Sequence, residues 1–401
     1  MIGPATPPAL SSRTVALADS PDLVELVSRP DLGVASGVWI RQREGMIGWG
    51  CAARIDTCGP SRFVEADRWW IRAAGEAGID DRVRRPGTGP LAFGSFAFSD
   101  ESGAGATLMV PSVVIGRRDG QAWLTRTVDS RVTPEHEARA FLDGPSELAL
   151  PGPLSLPGPP SPTVPTTFAD GALSGPQWSQ AVAEAVARIG TGALDKVVLA
   201  RDLYALTGAP IELGTVLRQL AEQYERTWVF HVDGLLGATP EMLVRLERGL
   251  VTSRVLAGTI RRTGDDHRDL ASAASLARSS KDLEEHEYAV RSVAQALAPH
   301  CTSMAVPESP FVVHLPNVMH LASDVAGRLR NGVTSLGLAA ALHPSAAVCG
   351  TPRAAAQELI AELEGMDRGR YAGPVGWTDA AGDGEWGIAL RCGAIDPDDP
   401  R

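Results

Sequence analysis

The chain has 401 residues, 44% of them hydrophobic and 21% charged, ordinary proportions for a globular protein long enough to bury a large core. A formal net charge of −11 argues against a nucleic-acid or anionic-lipid surface, so an anionic ligand needs a local cationic pocket or a metal. No apolar run approaches the ~20 residues of a spanning helix, and MIGPATPPAL lacks the basic-then-apolar pattern of a signal peptide. The five cysteines (51, 58, 301, 349, 392) form no CxxC pair, so reduced thiols in a cytoplasmic protein are expected. Among 37 basic residues only Lys196 and Lys281 are lysine. Arginine stays protonated where a desolvated lysine amine can lose its proton, which marks Lys196 for attention. Lys281 reads as a chance survivor or a local structural residue.

Residues 1–30 read as polar and irregular, with a short helix over 21–27. A hairpin follows: 38–43 and 46–53 are strand-like on either side of Glu44-Gly45. The pattern then predicts a helix over 69–77 and strands over 91–98, 107–114 and 122–128. Nothing in this first third has the spacing of a metal or nucleophile site. Seven prolines in 151–165 exclude a central strand and mark either a surface connection between a lobe over 1–166 and another over 167–401 or an insertion within one fold. The two lobes are expected to form one interleaved unit.

In the second lobe helices are expected over 177–189 and 210–225, with a strand over 194–201 that Lys196 enters. Segments 228–232, 235–238, 242–247 and 250–255 read as an antiparallel meander, with Glu241 at one corner in GATPE. Ser279 opens a helix to about 298 as a capping residue. Asp282 and Glu285 stand three apart on it, so their carboxylates share a face, which suits a hard cation such as Mg²⁺. A loop over 342–352, a helix over 354–364 and a glycine-bearing hairpin over 371–391 close the pattern. Gly373 and Gly376 permit close backbone approach, and Arg391 offers a fork of donors for a carboxylate.

KVVLAR (196–201), GATPE (237–241), LAGT (256–259), SSKDLEEHE (279–287), HLASDV (320–325), LHPSAAVCGTP (342–352), YAGPVGW (371–377) and Arg391 occur in that order. Together they resemble the chorismate-utilising enzymes, and among them the isochorismate synthases. The resemblance implies an α+β fold of two interleaved antiparallel sheets flanked by helices, with the active site between the sheets. It implies Mg²⁺-dependent water addition at C2 of chorismate with loss of the C4 hydroxyl. Lys196 is then the general base and Glu241 the general acid. Glu285, with Asp282 beside it, holds Mg²⁺, and Arg391 and Tyr371 grip substrate oxygens. Ala257, Gly258 and Val348 supply close contacts, with His320 in the pocket. Relatives that add ammonia carry glutamine where Lys196 stands, and aminodeoxychorismate synthases carry lysine where Ala257 stands. The pair found here therefore implies water as nucleophile, with no glutaminase subunit. Salicylate synthases share the pair and are the alternative; menaquinone and siderophore pathways are equally compatible.

Members of the family continue past the Arg391 strand into a returning strand and a helix with two glutamates and a lysine. The resemblance thus implies that this 401-residue sequence lacks a second Mg²⁺ glutamate, which predicts little or no turnover, as in an inactive remnant.

Overall fold

The computed structural model describes residues 6–144, 165–315, 317–330 and 332–396. The proline-rich stretch and the final turn fall largely outside them. Among the described residues the first strands are β1 (Leu10–Ala16), β2 (Gly37–Arg41), β3 (Glu44–Trp49), β4 (Ala53–Thr57), β5 (Gly78–Asp81), β6 (Leu91–Phe96), β7 (Ala106–Val110), β8 (Val113–Arg118) and β9 (Gln121–Asp129). The next are β10 (Thr166–Asp170), β11 (Lys196–Val197), β12 (Leu203–Thr207), β13 (Trp228–Val232), β14 (Leu235–Thr239), β15 (Met242–Glu247) and β16 (Leu250–Arg261). The last are β17 (Cys301–Ala305), β18 (Phe311–His314), β19 (Val318–Leu329), β20 (Gly350–Thr351), β21 (Pro374–Asp379), β22 (Gly384–Ile388) and β23 (Cys392–Ala394). The α-helices are α1 (Leu23–Leu26), α2 (Arg62–Gly75), α3 (Glu135–Leu142), α4 (Gly175–Gly190), α5 (Leu213–Gln223), α6 (Asp266–Leu276), α7 (Ser280–Leu297), α8 (Ser335–Leu342) and α9 (Arg353–Glu364).

Two large sheets carry the fold. A nine-stranded sheet runs β23-β14-β13-β2-β3-β8-β9-β1-β5. A ten-stranded sheet runs β17-β19-β16-β15-β22-β21-β6-β7-β4, with β18 also on β19. Pairing is antiparallel throughout both, except that β1 and β5 are parallel.

Period-two alternation sorts side chains to the two faces of each strand. On β13, Trp228, Phe230 and Val232 enter a cluster that also holds Trp39, Phe93, Val375 and Trp377 from both sheets, while Val229 faces away. That cluster is the core between the sheets. Full burial of each such side chain stabilises by about 1.5–3 kcal/mol. The outer face of the nine-stranded sheet packs against α1 and α5, and that of the ten-stranded sheet against α2, α7, α8 and α9. The architecture is α+β with two antiparallel sheets between helical layers.

The chain passes from one sheet to the other repeatedly, at β3–β4, β4–β5, β5–β6, β7–β8, β14–β15 and β22–β23. The segment expected as one strand over 107–114 is divided at Pro111 and Ser112, because its halves belong to different sheets. Residues 10–16, expected to be irregular, form β1. Its buried positions include Ser12 and Thr14, whose hydroxyls bond those of Thr127 and Thr125, so no apolar alternation announced it. The strand expected over 194–201 shrinks to Lys196–Val197. Beyond it Val198 N–H donates to Cys349 O at 2.8 Å and Ala200 N–H to a Glu364 carboxylate oxygen at 2.6 Å. Partners outside any strand take over the backbone there.

Candidate active site

Two sheet crossings lie side by side and form one wall of the site. Pro240 and Glu241 link β14 to β15, and residues 389–391 link β22 to β23. Backbone bonds join them: Ile388 N–H to Glu241 O at 3.0 Å, and Ala238 N–H to Arg391 O at 3.2 Å. The Thr239 hydroxyl adds a 2.6 Å bond to Ile388 O. Arg391 therefore follows a strand rather than ending one, and it adopts the left-handed region with φ 50°. For a non-glycine residue that conformation costs about 1–2 kcal/mol and needs support from its surroundings.

Glu241 is 7% exposed. Burial pushes its carboxyl up to about 8, although Lys196 and Arg391 both act to lower it. It is a protonated acid at neutral pH, within electrostatic reach of Lys196 and Arg391. Burial also lowers the pKa of Arg391, which has Tyr224 and Glu241 within electrostatic reach.

The opposite wall is built from α7 and β11. Ser279 caps α7 by accepting from Asp282 N–H at 3.3 Å, so the capping expected from the sequence is present. Lys196 Nζ lies 3.0 Å from Glu285 Oε1, with side chains 18% and 35% exposed. These two line a cavity of about 770 Å³ between α4 and α7, together with Trp178, Ile189, Lys281 and Tyr288. Lys281 is exposed at its rim. β11 pairs with β20, Lys196 opposite Thr351 and Val197 opposite Gly350. A Cβ on Gly350 would stand 2.2 Å from Lys196 O, so only glycine admits that approach.

Asp282 seats on the bulge between β16 and β19. Their register shifts between Ala257 and Thr259, and Gly258 takes φ +76°. A Cβ there would stand 3.1 Å from Asp282 Cβ. His320, opposite Thr259, bonds its hydroxyl through Nδ1 at 2.8 Å, and burial lowers its pKa, with Arg391 adding to the effect. Tyr371 is half-buried, and burial raises its phenol. Gly373 and Gly376 are indeed close-approach positions, but what approaches is the neighbouring backbone: added Cβ atoms would stand 1.8 Å from Phe96 O and 1.9 Å from Glu385 O.

Lys196, Glu241, Glu285 and Arg391 are thus one electrostatic cluster, with Asp282, Gly258 and His320 along its edge. Val348 and Tyr371 join it through a buried ion pair that the sequence reading missed: Arg368 bonds Val348 O at 2.9 Å and Glu364 at 2.8 Å. Arginine four residues beyond a glutamate at a helix end was the available signal. His286, also missed, ties α7 to β19 through a 2.9 Å contact with Ser323 Oγ.

Among the described residues no three His, Cys, Asp or Glu side chains converge as a ready metal cage. Mg²⁺, however, is commonly held by one or two carboxylates, with water and substrate oxygens completing about six. Asp282 and Glu285 on one face of α7 fit that donor chemistry.

Residues 35–401 match the family model described as chorismate binding enzyme, and the chain belongs to that family. It is 33% identical over 384 residues to the salicylate biosynthesis isochorismate synthase of Pseudomonas aeruginosa, covering 90% of this chain and 76% of that protein. It is 42% identical over 227 residues to isochorismate synthase DhbC of Bacillus subtilis, covering 54% of this chain and just over half, 57%, of that protein. In fold it is similar to the menaquinone-specific isochorismate synthase MenF of Escherichia coli, with a TM-score of 0.78, 23% identity, and 96% and 86% of the two chains covered. No helix among the described residues is long and apolar enough to cross a membrane.

Proposed function

We propose that this protein is an isochorismate synthase, acting in the cytoplasm on chorismate with Mg²⁺. The observation that carries the reading is Glu241, a buried carboxyl still protonated near neutrality and flanked by Lys196 and Arg391. Isochorismate synthases among its relatives support the choice of reaction.

In this reading Lys196 takes a proton from water, whose oxygen bonds to C2 of chorismate. The ring double bonds shift, and the C4–O bond breaks as Glu241 donates its proton, releasing water. One water enters and one leaves, so the reaction is an isomerisation. Arg391 and Tyr371 hold substrate oxygens, while Ala257, Gly258 and Val348 shape the pocket beside His320. Glu285 and Asp282 would hold Mg²⁺, which supplies positive charge to the ring carboxylate when bound. Residues 167–401 carry every assigned residue, and residues 1–166 complete both sheets around them.

The test is chorismate turnover in ¹⁸O-water with Mg²⁺ by the chain carrying a family-like C-terminal segment, with products separated by chromatography. Isochorismate carrying one ¹⁸O is expected. Salicylate with pyruvate would replace the reading by a salicylate synthase, and no product at saturating chorismate would overturn it.

A further inference from the structure

β11 contributes only two residues, so something other than a strand must hold the backbone that carries Lys196. The buried Arg368–Glu364 pair is placed to do so. Arg368 is 8% exposed and Glu364 2%. Nε of Arg368 donates to Glu364 Oε2 at 2.8 Å and Nη2 to Oε1 at 2.5 Å. Nη2 also reaches Val198 O at 2.8 Å, two residues beyond Lys196, and Nη1 reaches Val348 O at 2.9 Å. Glu364 Oε1 in turn accepts from Ala200 N–H at 2.6 Å. The guanidinium lies over the Phe98 ring, 4.3 Å from its centroid. Arg368 O accepts from Tyr371 N–H at 3.0 Å, at the start of the turn into β21.

We propose that Arg368 and Glu364 form the positioning unit of the site, fixing the Lys196 segment against the Val348 loop and the Tyr371 turn. Two separate stretches of chain, Val198–Ala200 and Val348, bond the ion pair directly, and the Tyr371 turn follows Arg368 through its backbone carbonyl. Stability alone is a poor account of it, because a buried ion pair gains little over an apolar pair of similar volume. A fork in fixed geometry does what an apolar pair cannot: it sets the register of two carbonyls. The pair touches no reacting atom and acts through Lys196, so the proposal rests on the reading of that residue as the base.

The presence of only two lysines makes the test direct, since limiting acylation with peptide mapping reads Lys196 against Lys281 as internal reference. It is run on the full chain for the wild type, Glu364→Gln, and the apolar double variant Arg368→Met with Glu364→Leu. The double variant guards against misfolding, because it leaves no unpaired buried charge. In the folded double variant the Lys196:Lys281 labelling ratio is expected to change at least about threefold, as the segment opens locally. With chorismate, kcat is expected to fall about 10–100-fold, more than KM rises, since small misplacement of a reacting group costs that order. An unchanged ratio in the folded double variant overturns the proposal, and so does an unchanged kcat. If the wild type makes no isochorismate, the assigned activity fails, while the labelling ratio still decides the positioning role.

Discussion

The two walls of the site are held by different means. Glu241 and Arg391 stand on crossings between the sheets, joined by bonds from Ile388 N–H and Ala238 N–H. Lys196 stands on a two-residue strand and Glu285 on a capped helix, and they meet through side chains at 3.0 Å. The proposed acid is therefore placed by backbone and burial, whereas the side chains of the proposed base and cation-binding carboxylates meet through an ion pair that substrate or metal can exchange. A carboxyl meant to stay neutral belongs on the rigid side, and groups that change partners belong on the other.

The sharpest way to break this comparison is Lys196→Arg. Arginine keeps a cation opposite Glu285 but cannot act as a base, so kcat is expected to fall about 10²–10⁴-fold with the unfolding midpoint unchanged. Near-normal turnover would remove Lys196 from the mechanism.

Glu241→Gln tests the rigid wall, with an expected loss of about 10²-fold. The wild-type rate should decline on the alkaline side near pH 8, where the acid at about 8 loses its proton. The variant should lack that limb. The sign for stability follows from the same raised value. Between the usual glutamate range of 4.5 and about 8 the folded state keeps a proton that the unfolded chain has lost. This contribution is complete below that window and disappears as pH rises through it. Denaturant unfolding at pH 5 and 8 should therefore show a smaller fall for the variant than for the wild type.

Glu285→Gln probes the adjustable wall. The Mg²⁺ concentration giving half-maximal rate should rise about 10-fold or more, an effect of the size seen when a metal site loses a supporting group. The labelling of Lys196 should rise as well, because its ion-pair partner is gone. An unaltered Mg²⁺ requirement would take Glu285 out of cation binding.

The smallest effect is expected from Gly258→Ala. The positive φ and the 3.1 Å approach to Asp282 together predict about 1–2 kcal/mol of lost stability, read as a lower unfolding midpoint. A neutral result would mean that the bulge relaxes away from α7.

Much of the candidate site was legible because its proposed residues sit in contiguous words. GATPE, LAGT and SSKDLEEHE each hold a residue that the fold brings to the cluster around Lys196 and Glu241. What the sequence concealed was structure made by pairing across long separations. β1 hides its inward face behind Ser12 and Thr14, whose hydroxyls satisfy one another across to β9. The two-residue length of β11 depends on Glu364 and Cys349, which lie more than 140 residues away in the chain. No local pattern of residues 194–201 encodes that competition. Pro111 was visible, but that its two sides serve different sheets is a property of topology rather than of alternation.

The paired crossings act as a clasp. Each thread is anchored in both sheets, so any shear of one layer over the other turns the corner that carries Glu241 and the corner that carries Arg391 together. Their relative placement is thereby tied to the twist of the whole sandwich. A substitution in the core around Trp377 can then shift Glu241 without touching it.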